Sequence, residues 1–152
     1  MRSAELVKRN LKEIVRDPLS LGLTIGLPAA MLLILQSLES VDDFFAPTML
    51  APGIALFGFV MLMFSSAMIL SRDRESALFA RLLTAPLASR DFLTGYSLPY
   101  LAIAVVQAIV IFGIAALLGL VMEGSAGLVL LILAIMAVFY IGLGMILGSV
   151  LK

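Results

Sequence analysis

The chain has 152 residues, of which 62% are hydrophobic and only 13% are charged, whereas soluble domains average about 45–50% and about 25%. Its formal net charge is zero, so no basic excess points to nucleic acid as a partner. It contains neither cysteine nor histidine, which excludes disulfides, thiol chemistry and histidine-dependent catalytic or metal sites. This composition is typical of a membrane protein.

Charged residues divide the chain into four long uncharged runs. A helix needs about 20 apolar residues to cross roughly 30 Å of hydrocarbon, so each run is long enough to span a membrane once. Apolar and polar residues do not alternate within the runs as they do in barrel strands. The sequence therefore predicts an all-α, polytopic membrane protein with four transmembrane helices. The predicted spans cover about residues 19–38, 48–71, 99–121 and 127–150, within a transmembrane domain over 18–152.

The residues before Pro18 predict an amphipathic helix over residues 1–17. Its basic residues share an arc beside an apolar arc, which suits a helix that lies at the membrane interface with its basic face toward lipid phosphates. Pro18 should end this helix, because the residue before a proline avoids the helical region. The helix is either a simple membrane anchor or part of a coupling mechanism. The predicted apolar arc comprises Ala4, Val7, Leu11, Ile14 and Val15.

The ten basic residues are unevenly distributed along the chain. Five precede Pro18, four lie in the connection over residues 72–91, and Lys152 ends the chain, whereas the other two connections carry only acidic residues. The positive-inside rule then places both termini and the 72–91 loop in the cytoplasm, with the protein in the inner (cytoplasmic) membrane. Tyr96 and Tyr100 lie where interfacial aromatic belts usually occur, although such residues are also found inside bundles.

Few polar groups lie deep in the four runs. Such groups usually form hydrogen bonds between helices, and the alternative is that they line a transport pathway. Gly22 with Gly26, and Gly144 with Gly148, have the GxxxG spacing that lets helices approach closely without identifying the partner. The candidate pathway or packing residues are Ser65, Ser66, Gln107 and Tyr140.

Several kinds of chemistry are missing from the sequence. No charged residue falls within the four runs, which disfavours ion-coupled transport because such transporters usually keep a carboxylate in the membrane. No lysine follows a glycine-rich turn, so a phosphate-binding loop of that type is excluded. The chain is therefore predicted not to be an enzyme, with no catalytic, cofactor-binding or metal-ligating residue. Any energy for transport must come from another protein.

The charged stretch "SRDRESALFARLLTAPLASRD" separates the second and third predicted spans. Leu78, Phe79, Leu82 and Leu83 share one helical face, while Arg74 and Arg81 share another. Proline 86 should end this short cytoplasmic helix, because it cannot donate a backbone hydrogen bond. The arginines either bind lipid headgroups, or the charged face is presented to a soluble domain while the apolar face packs on the bundle.

The longer run "SSAMILSRDRESALFARLLTAPLASRDFLTGYSLPY" resembles the segment between the second and third spans of ABC-2 type permeases. These are the membrane subunits of ABC exporters, which include daunorubicin-resistance-type drug efflux systems. The N-terminal "ELVKRNLKEIVRDPLSL" is similar to the interfacial helix of that family, and "YIGLGMILGSVLK" is similar to its fourth span. The middle motif is carried by Arg74, Glu75, Leu82, Leu83, Pro86, Leu87 and Ala88.

The resemblance implies that the 72–91 loop is a coupling helix that docks on a separately encoded ATPase subunit. ATP and Mg would bind to that subunit, and no cofactor to this chain. It also implies an export permease for hydrophobic or amphipathic solutes (drug-like, lipid-like or polymeric), working in lipid as a homodimer or with a paired permease. The family usually has six spans, so a four-span chain is expected to lack two of them. The residues implied at the ATPase contact are Arg74, Glu75, Leu82, Leu83 and Pro86.

Two other functions remain open at the level of sequence. The first is a non-transporting four-helix membrane scaffold or accessory subunit, which would not recruit an ATPase through the charged loop. The second is a small proton-driven multidrug exporter, which the missing membrane carboxylate makes the weakest hypothesis. The sequence does not specify a transported solute.

Overall fold

The computed structural model describes residues 2–74, 89–121 and 124–150, apart from the side chains of residues 2, 3 and 89–92. All regular secondary structure in this part of the chain is helical, and four of its helices are long and apolar enough to cross a membrane. The predicted all-α architecture with four membrane-spanning helices is therefore confirmed. The short helix predicted over the charged loop lies outside the described residues.

The helices follow one another with few breaks. A π-helical turn over Gly22–Gly26 joins α2 to α3, so that Pro18–Gln36 forms one continuous span. A short 3-10 helix, Asp43–Phe45, precedes the second span. The α-helices of the described residues are α1 (Arg2–Arg16), α2 (Pro18–Leu21), α3 (Leu27–Gln36), α4 (Pro47–Arg74), α5 (Ser89–Leu117) and α6 (Ala126–Val150).

The boundary between α1 and the first span lies at Asp17, one residue before Pro18. The backbone of Asp17 is extended, and its carboxylate accepts hydrogen bonds from the backbone N–H groups of Leu19 and Ser20 at 3.1 and 3.2 Å. These N–H groups have no partner inside the helix that they begin, so the carboxylate caps them. The chain can therefore turn here from α1 into the membrane span.

The end of α5 shows how its terminal carbonyl groups are satisfied. Gly119 has a φ of 98°, a conformation that is strained for other residues. The N–H of Leu120 then bonds to the carbonyl of Ala115 at 2.9 Å, and the N–H of Gly119 bonds to that of Ala116 at 3.2 Å. This is the Schellman pattern, which ends a helix without leaving those carbonyls unpaired.

The second span is the centre of the bundle, since α4 packs against α3, α5 and α6. Its most extensive partner is α6, and the Gly144/Gly148 pair lies at that contact. A Cβ atom at Gly148 would lie 2.5 Å from the carbonyl oxygen of Ala67. The other glycine pair, Gly22 and Gly26, has no described atom within 4 Å of its Cβ positions. The structure thus identifies α4 as the helix that Gly144 and Gly148 approach.

Candidate functional site at the basic end of the bundle

Four helices meet at one end of the bundle. Arg9 of α1 contacts Asp73 near the end of α4, and Asn10 of α1 contacts Gly95 of α5. Arg74, the last residue of α4, donates hydrogen bonds to carbonyl groups in the last turn of α6. We call this region the basic end, because it brings together Arg9, Lys12, Arg16, Arg72 and Arg74.

A buried carboxylate lies at the centre of the basic end. Asp73 is only 7% exposed, and its side chain accepts hydrogen bonds from the Arg9 guanidinium at 2.9 and 3.1 Å and from the Tyr96 hydroxyl at 2.6 Å. Arg9 also donates to Glu13 at 3.2 Å, one helical turn further along α1. These four residues, Arg9, Glu13, Asp73 and Tyr96, are the Asp73 cluster. The cluster joins α1, α4 and α5.

The Asp73 cluster raises the pKa of Arg9. Burial lowers the pKa of its guanidinium, but the hydrogen bond and negative charge of Asp73 outweigh that effect and raise the pKa above its ordinary value. Arginine is charged at every physiological pH, so the rise means that the cluster stabilises a charge that Arg9 already carries. A partly buried ion pair of this kind depends on both partners, because removal of either one leaves the other charge in a poorly solvated place.

A second contact attaches α1 to α5. Pro99 has no backbone N–H, so the helix offers no i+4 donor to the carbonyl of Gly95. The side chain of Asn10 donates to this carbonyl from α1 at 2.9 Å, and Asn10 is 1% exposed. Gly95 also allows close approach, since a Cβ there would lie 3.0 Å from the Cβ of Leu6. A proline in one helix thus creates the acceptor that holds another.

The buried face of α1 differs from the predicted apolar arc. Leu6, Asn10 and Ile14, which are successive i, i+4 positions, are buried at 8%, 1% and 2% exposure. Ala4 and Val15 of the predicted arc are exposed. The observed face is therefore rotated by roughly a quarter turn. Its central residue is polar, so a search for apolar periodicity alone could not have found this face.

Tyr96 and Tyr100 lie inside the bundle and not in an interfacial belt, since each is only 2% exposed. The Tyr100 hydroxyl donates to the carbonyl of Ser65 at 3.0 Å, and the hydroxyl of Ser20 donates to that of Ser65 at 3.3 Å. Ser65, a candidate pathway or packing residue, thus joins the first, second and third spans. Of the two locations considered for Tyr96 and Tyr100, the structure shows the one inside the bundle.

The other three candidate polar residues do not share the contacts of Ser65. Ser66 is buried where α4 meets Gly144, and its hydroxyl donates to the Met63 carbonyl at 2.8 Å. Gln107 is fully buried and donates to the Ala55 carbonyl at 3.2 Å, roughly 15 Å along α4 from Ser65. Tyr140 is half-buried, and its ring meets that of Phe139 edge-on with the ring centroids 5.7 Å apart. Ser65, Ser66 and Gln107 take part in separate contacts between helices. The part of all four residues in a pathway stays a prediction.

The contact of Gln107 with α4 depends on Gly58. A Cβ at Gly58 would lie 2.6 Å from the Cδ of Gln107 and still closer to its Nε2. We expect Gly58→Ala to displace the amide from the Ala55 carbonyl and to lower the free energy of unfolding by about 1–3 kcal/mol, because a buried amide loses its partner. Unfolding in mixed micelles with increasing dodecyl sulfate measures this change.

Gly53→Ala is the matched control for this prediction, because Gly53 lies in the same helix with no described atom within 4 Å of its Cβ position. It should be neutral or stabilising, since alanine is the better helix former. Equal losses of stability in the Gly58 and Gly53 variants would contradict the packing role of Gly58.

Of the residues implied at an ATPase contact, Arg74 alone belongs to the described part of the chain. Arg74 is exposed, and its guanidinium donates to the carbonyls of Gly148, at 3.3 Å, and Ser149. Such carbonyls lack donors within their own helix, and a cation near a helix C-terminus is favourable. Arg74 therefore contacts α6 in this structure. The remaining predicted contact residues, Glu75, Leu82, Leu83 and Pro86, lie outside the described residues.

Sequence reasoning missed two residues that attach α1 to the bundle, Asp73 and Asn10. Asp73 was counted as part of a charged loop, but α4 continues through Arg74 and buries it. Asn10 was absent from the predicted arc because it is polar. One signal for Asn10 was present: Pro99 leaves the Gly95 carbonyl without a helical donor, and a nearby amphipathic helix carries the only asparagine of the chain.

Comparison with known families gives a match to the model described as ABC-2 type transporter, over residues 4–152. The match covers α1 from residue 4 onward and all four spans. No curated protein and no solved structure matches the chain.

Proposed function

The chain belongs to the ABC-2 type transporter family, and we propose that it is the permease subunit of an exporter powered by a separate ATPase. As a member of this family it is a permease component of an ABC transporter and a multi-pass membrane protein. The proposal adds the direction of transport and the ATPase, which would bind ATP and Mg. It also adds the solutes, which we take to be hydrophobic or amphipathic.

The Asp73 cluster is the observation that supports coupling to an ATPase most strongly. Asp73 lies within the 72–91 loop implied to dock on the ATPase, next to its residues 75–88. Asp73 joins the end of α4 to Arg9 of α1 and to Tyr96 of α5, with donor–acceptor distances from 2.6 to 3.1 Å. A displacement of the docking segment would therefore be passed to three helices together, as an energy-coupled permease requires.

The distribution of charge supports a cytoplasmic position for the basic end. The contacts of Arg9 with Asp73 and of Arg74 with Gly148 bring α1, the ends of α4 and α6, and the beginning of α5 to one end of the bundle. Basic residues accumulate on the cytoplasmic side of membrane proteins. We therefore propose that both termini and the 75–88 segment face the cytoplasm, with the chain in the cytoplasmic membrane.

The packing of the bundle supports a pair of permease copies. Phe59, Leu62, Ile111 and Ile141 fill the space between α4, α5 and α6, and each is at most 1% exposed. Side chains packed in this way leave no passage between the described parts of these three helices. A pathway is then expected between two copies, in a homodimer or with a paired permease. The apolar outer surfaces of the spans, which would line such a pathway, suit solutes with apolar parts.

Replacement of residues 75–88 by a Gly/Ser linker of equal length tests the proposal. This replacement keeps Asp73 and Arg74, and with them the contacts to α1 and α6. We expect the tagged native chain to copurify from membranes with an ATPase. The amount of this ATPase recovered with the linker variant should be lower by at least about tenfold. Mass spectrometry and ATP hydrolysis by the purified complex measure the two properties.

A single substitution sharpens the same test. Glu75→Arg should weaken the ATPase association, and Lys8→Gln, on the exposed side of α1, should leave it unchanged. Membrane insertion of both variants is checked by resistance to alkaline extraction. An ATPase recovered equally with the native chain and with the linker variant would refute docking through residues 75–88. Recovery of no ATPase with the native chain would favour the scaffold function.

A further inference from the structure

An open groove of about 620 Å³ lies between α1 and the last turns of α4. It shares Arg9 and Glu13 with the Asp73 cluster, but most of its wall is formed by other residues. Its remaining basic side chains are those of Lys12, Arg16 and Arg72. The groove is thus lined by four of the five basic side chains of the basic end, all but that of Arg74.

The two acidic side chains of the groove are already engaged. Glu13 accepts from Arg9 at 3.2 Å, and the carboxylate of Asp17 caps the N–H groups that begin the first span. Lys12, Arg16 and Arg72 are all exposed, and none of them forms an ion pair with a residue in the described part of the chain. Lys12, Arg16 and Arg72 therefore give the groove three positive charges that could bind an anion from outside the chain.

The position of the groove indicates what kind of anion it meets. Asp17 and Pro18, at the beginning of the first span, and Arg72, near the end of the second, lie on its wall. This is the level at which hydrocarbon gives way to lipid headgroups. Pro18 and Ile69 add an apolar surface to the same groove. Cations beside an apolar wall at this level fit a molecule with a negative head and an apolar tail.

We propose that the groove binds the phosphate of an anionic phospholipid headgroup. Lys12, Arg16 and Arg72 surround the phosphate, and the glycerol and first acyl carbons lie against Pro18 and Ile69. The long aliphatic parts of lysine and arginine allow their charged ends to reach a headgroup from beside the hydrocarbon. The bound lipid is then a specific ligand that bridges α1 and α4, and not part of a uniform surrounding layer.

The test uses the full chain in neutral detergent, titrated with short-chain phosphatidylglycerol, phosphatidylcholine or inorganic phosphate. Native mass spectrometry of the complexes gives an apparent dissociation constant for each probe. We expect phosphatidylglycerol to bind more tightly than phosphatidylcholine. Lys12→Gln, Arg16→Gln and Arg72→Gln should each weaken its binding about two- to fivefold, and the triple variant roughly tenfold or more, as for exposed ionic contacts.

Lys8→Gln is the matched control for Lys12→Gln. Both lysines are exposed on α1, one helical turn apart, but Lys8 lines a different groove, between α1 and α5. The control should leave the affinity for phosphatidylglycerol unchanged. Equal weakening by the two variants would mean that overall charge attracts the lipid, and would overturn the site.

Two further outcomes would overturn the proposal. One is equal affinity for phosphatidylglycerol and phosphatidylcholine, which would show that negative charge is not recognised. The other is binding of inorganic phosphate as tight as that of the lipid, which would assign the groove to a soluble anion. The titration needs no ATPase, so its result is independent of the proposed export function.

Discussion

Gly148→Ala is expected to force α4 and α6 apart and to lower the free energy of unfolding by about 1–3 kcal/mol, the usual cost of overpacking. The new methyl group would lie 2.5 Å from the carbonyl oxygen and 2.9 Å from the Cα of Ala67. Both are backbone atoms, so no side chain can rotate away to make room. The helices must separate along the most extensive contact of the bundle.

Gly144→Ala should have an effect of the same kind, because its Cβ would meet the Met63 carbonyl and the Ser66 hydroxyl. The double variant should lose about 2–5 kcal/mol, since both substitutions push the same two helices apart. Gly142→Ala is the control within the same helix. No described atom lies within 4 Å of its Cβ position, and alanine there should be neutral or stabilising by about 0.5–1 kcal/mol.

Unfolding by dodecyl sulfate in mixed micelles is measured for the native chain and the four variants. It distinguishes an effect on packing from an effect on helix propensity. Packing predicts a loss at Gly144 and Gly148 with none at Gly142, whereas propensity predicts a gain at all three positions. A gain at Gly148 would show that the α4–α6 contact is looser than the structure has it.

The membrane spans could be predicted from sequence because the lipid imposes one strong condition. Backbone polar groups inside hydrocarbon must bond to each other, so an uncharged run of sufficient length becomes a helix whatever its neighbours are. The break at Asp17 is equally local, because Pro18 restricts the residue before it. Length and proline chemistry act within one segment, and one sequence is enough to evaluate them.

The basic end could not be predicted in the same way, because its contacts join residues that are far apart in sequence. Arg9 and Asp73 are 64 positions apart, and Asn10 and Gly95 are 85 apart. The side chains of Arg9, Asp73 and Asn10 are polar, so a hydropathy scale assigns them to water or to a headgroup. The helix ends that bury them are fixed by packing between spans, which periodicity within one segment does not reveal.

Arg9→Met is expected to have the second large effect, lowering the free energy of unfolding by about 2–4 kcal/mol. The substitution keeps most of the apolar stem but removes the cation that lies 2.9 Å from the Asp73 carboxylate. Asp73 has a side chain only 10% exposed, so water replaces the lost cation poorly. Removing one partner of such a pair costs more than the pair itself contributes.

Tyr96→Phe should cost about 1–3 kcal/mol, because the 2.6 Å hydrogen bond to the same carboxylate is lost. Glu13→Gln should change the free energy of unfolding by less than about 0.5 kcal/mol. The Arg9–Glu13 pair is a partly exposed i,i+4 contact within one helix, and such pairs contribute little. These two variants separate the buried part of the Asp73 cluster from its outer part. Thermal unfolding in detergent, monitored by circular dichroism of the helices, ranks the stabilities of the variants.

The double variant Arg9→Met/Asp73→Leu decides whether the buried charge causes the loss. With the carboxylate gone, no buried charge remains to be solvated, so the double variant should be more stable than Arg9→Met alone by about 1–3 kcal/mol. It should nevertheless transmit movement of residues 75–88 to α1 less well, because apolar side chains have no fixed geometry comparable to the ion pair. A restored stability, with reduced transport if the proposed ATP-driven export is correct, is therefore the expected pattern. A double variant no more stable than Arg9→Met would mean that Arg9 acts by packing, and the Asp73 cluster would lose its place as the link between α1 and the second span.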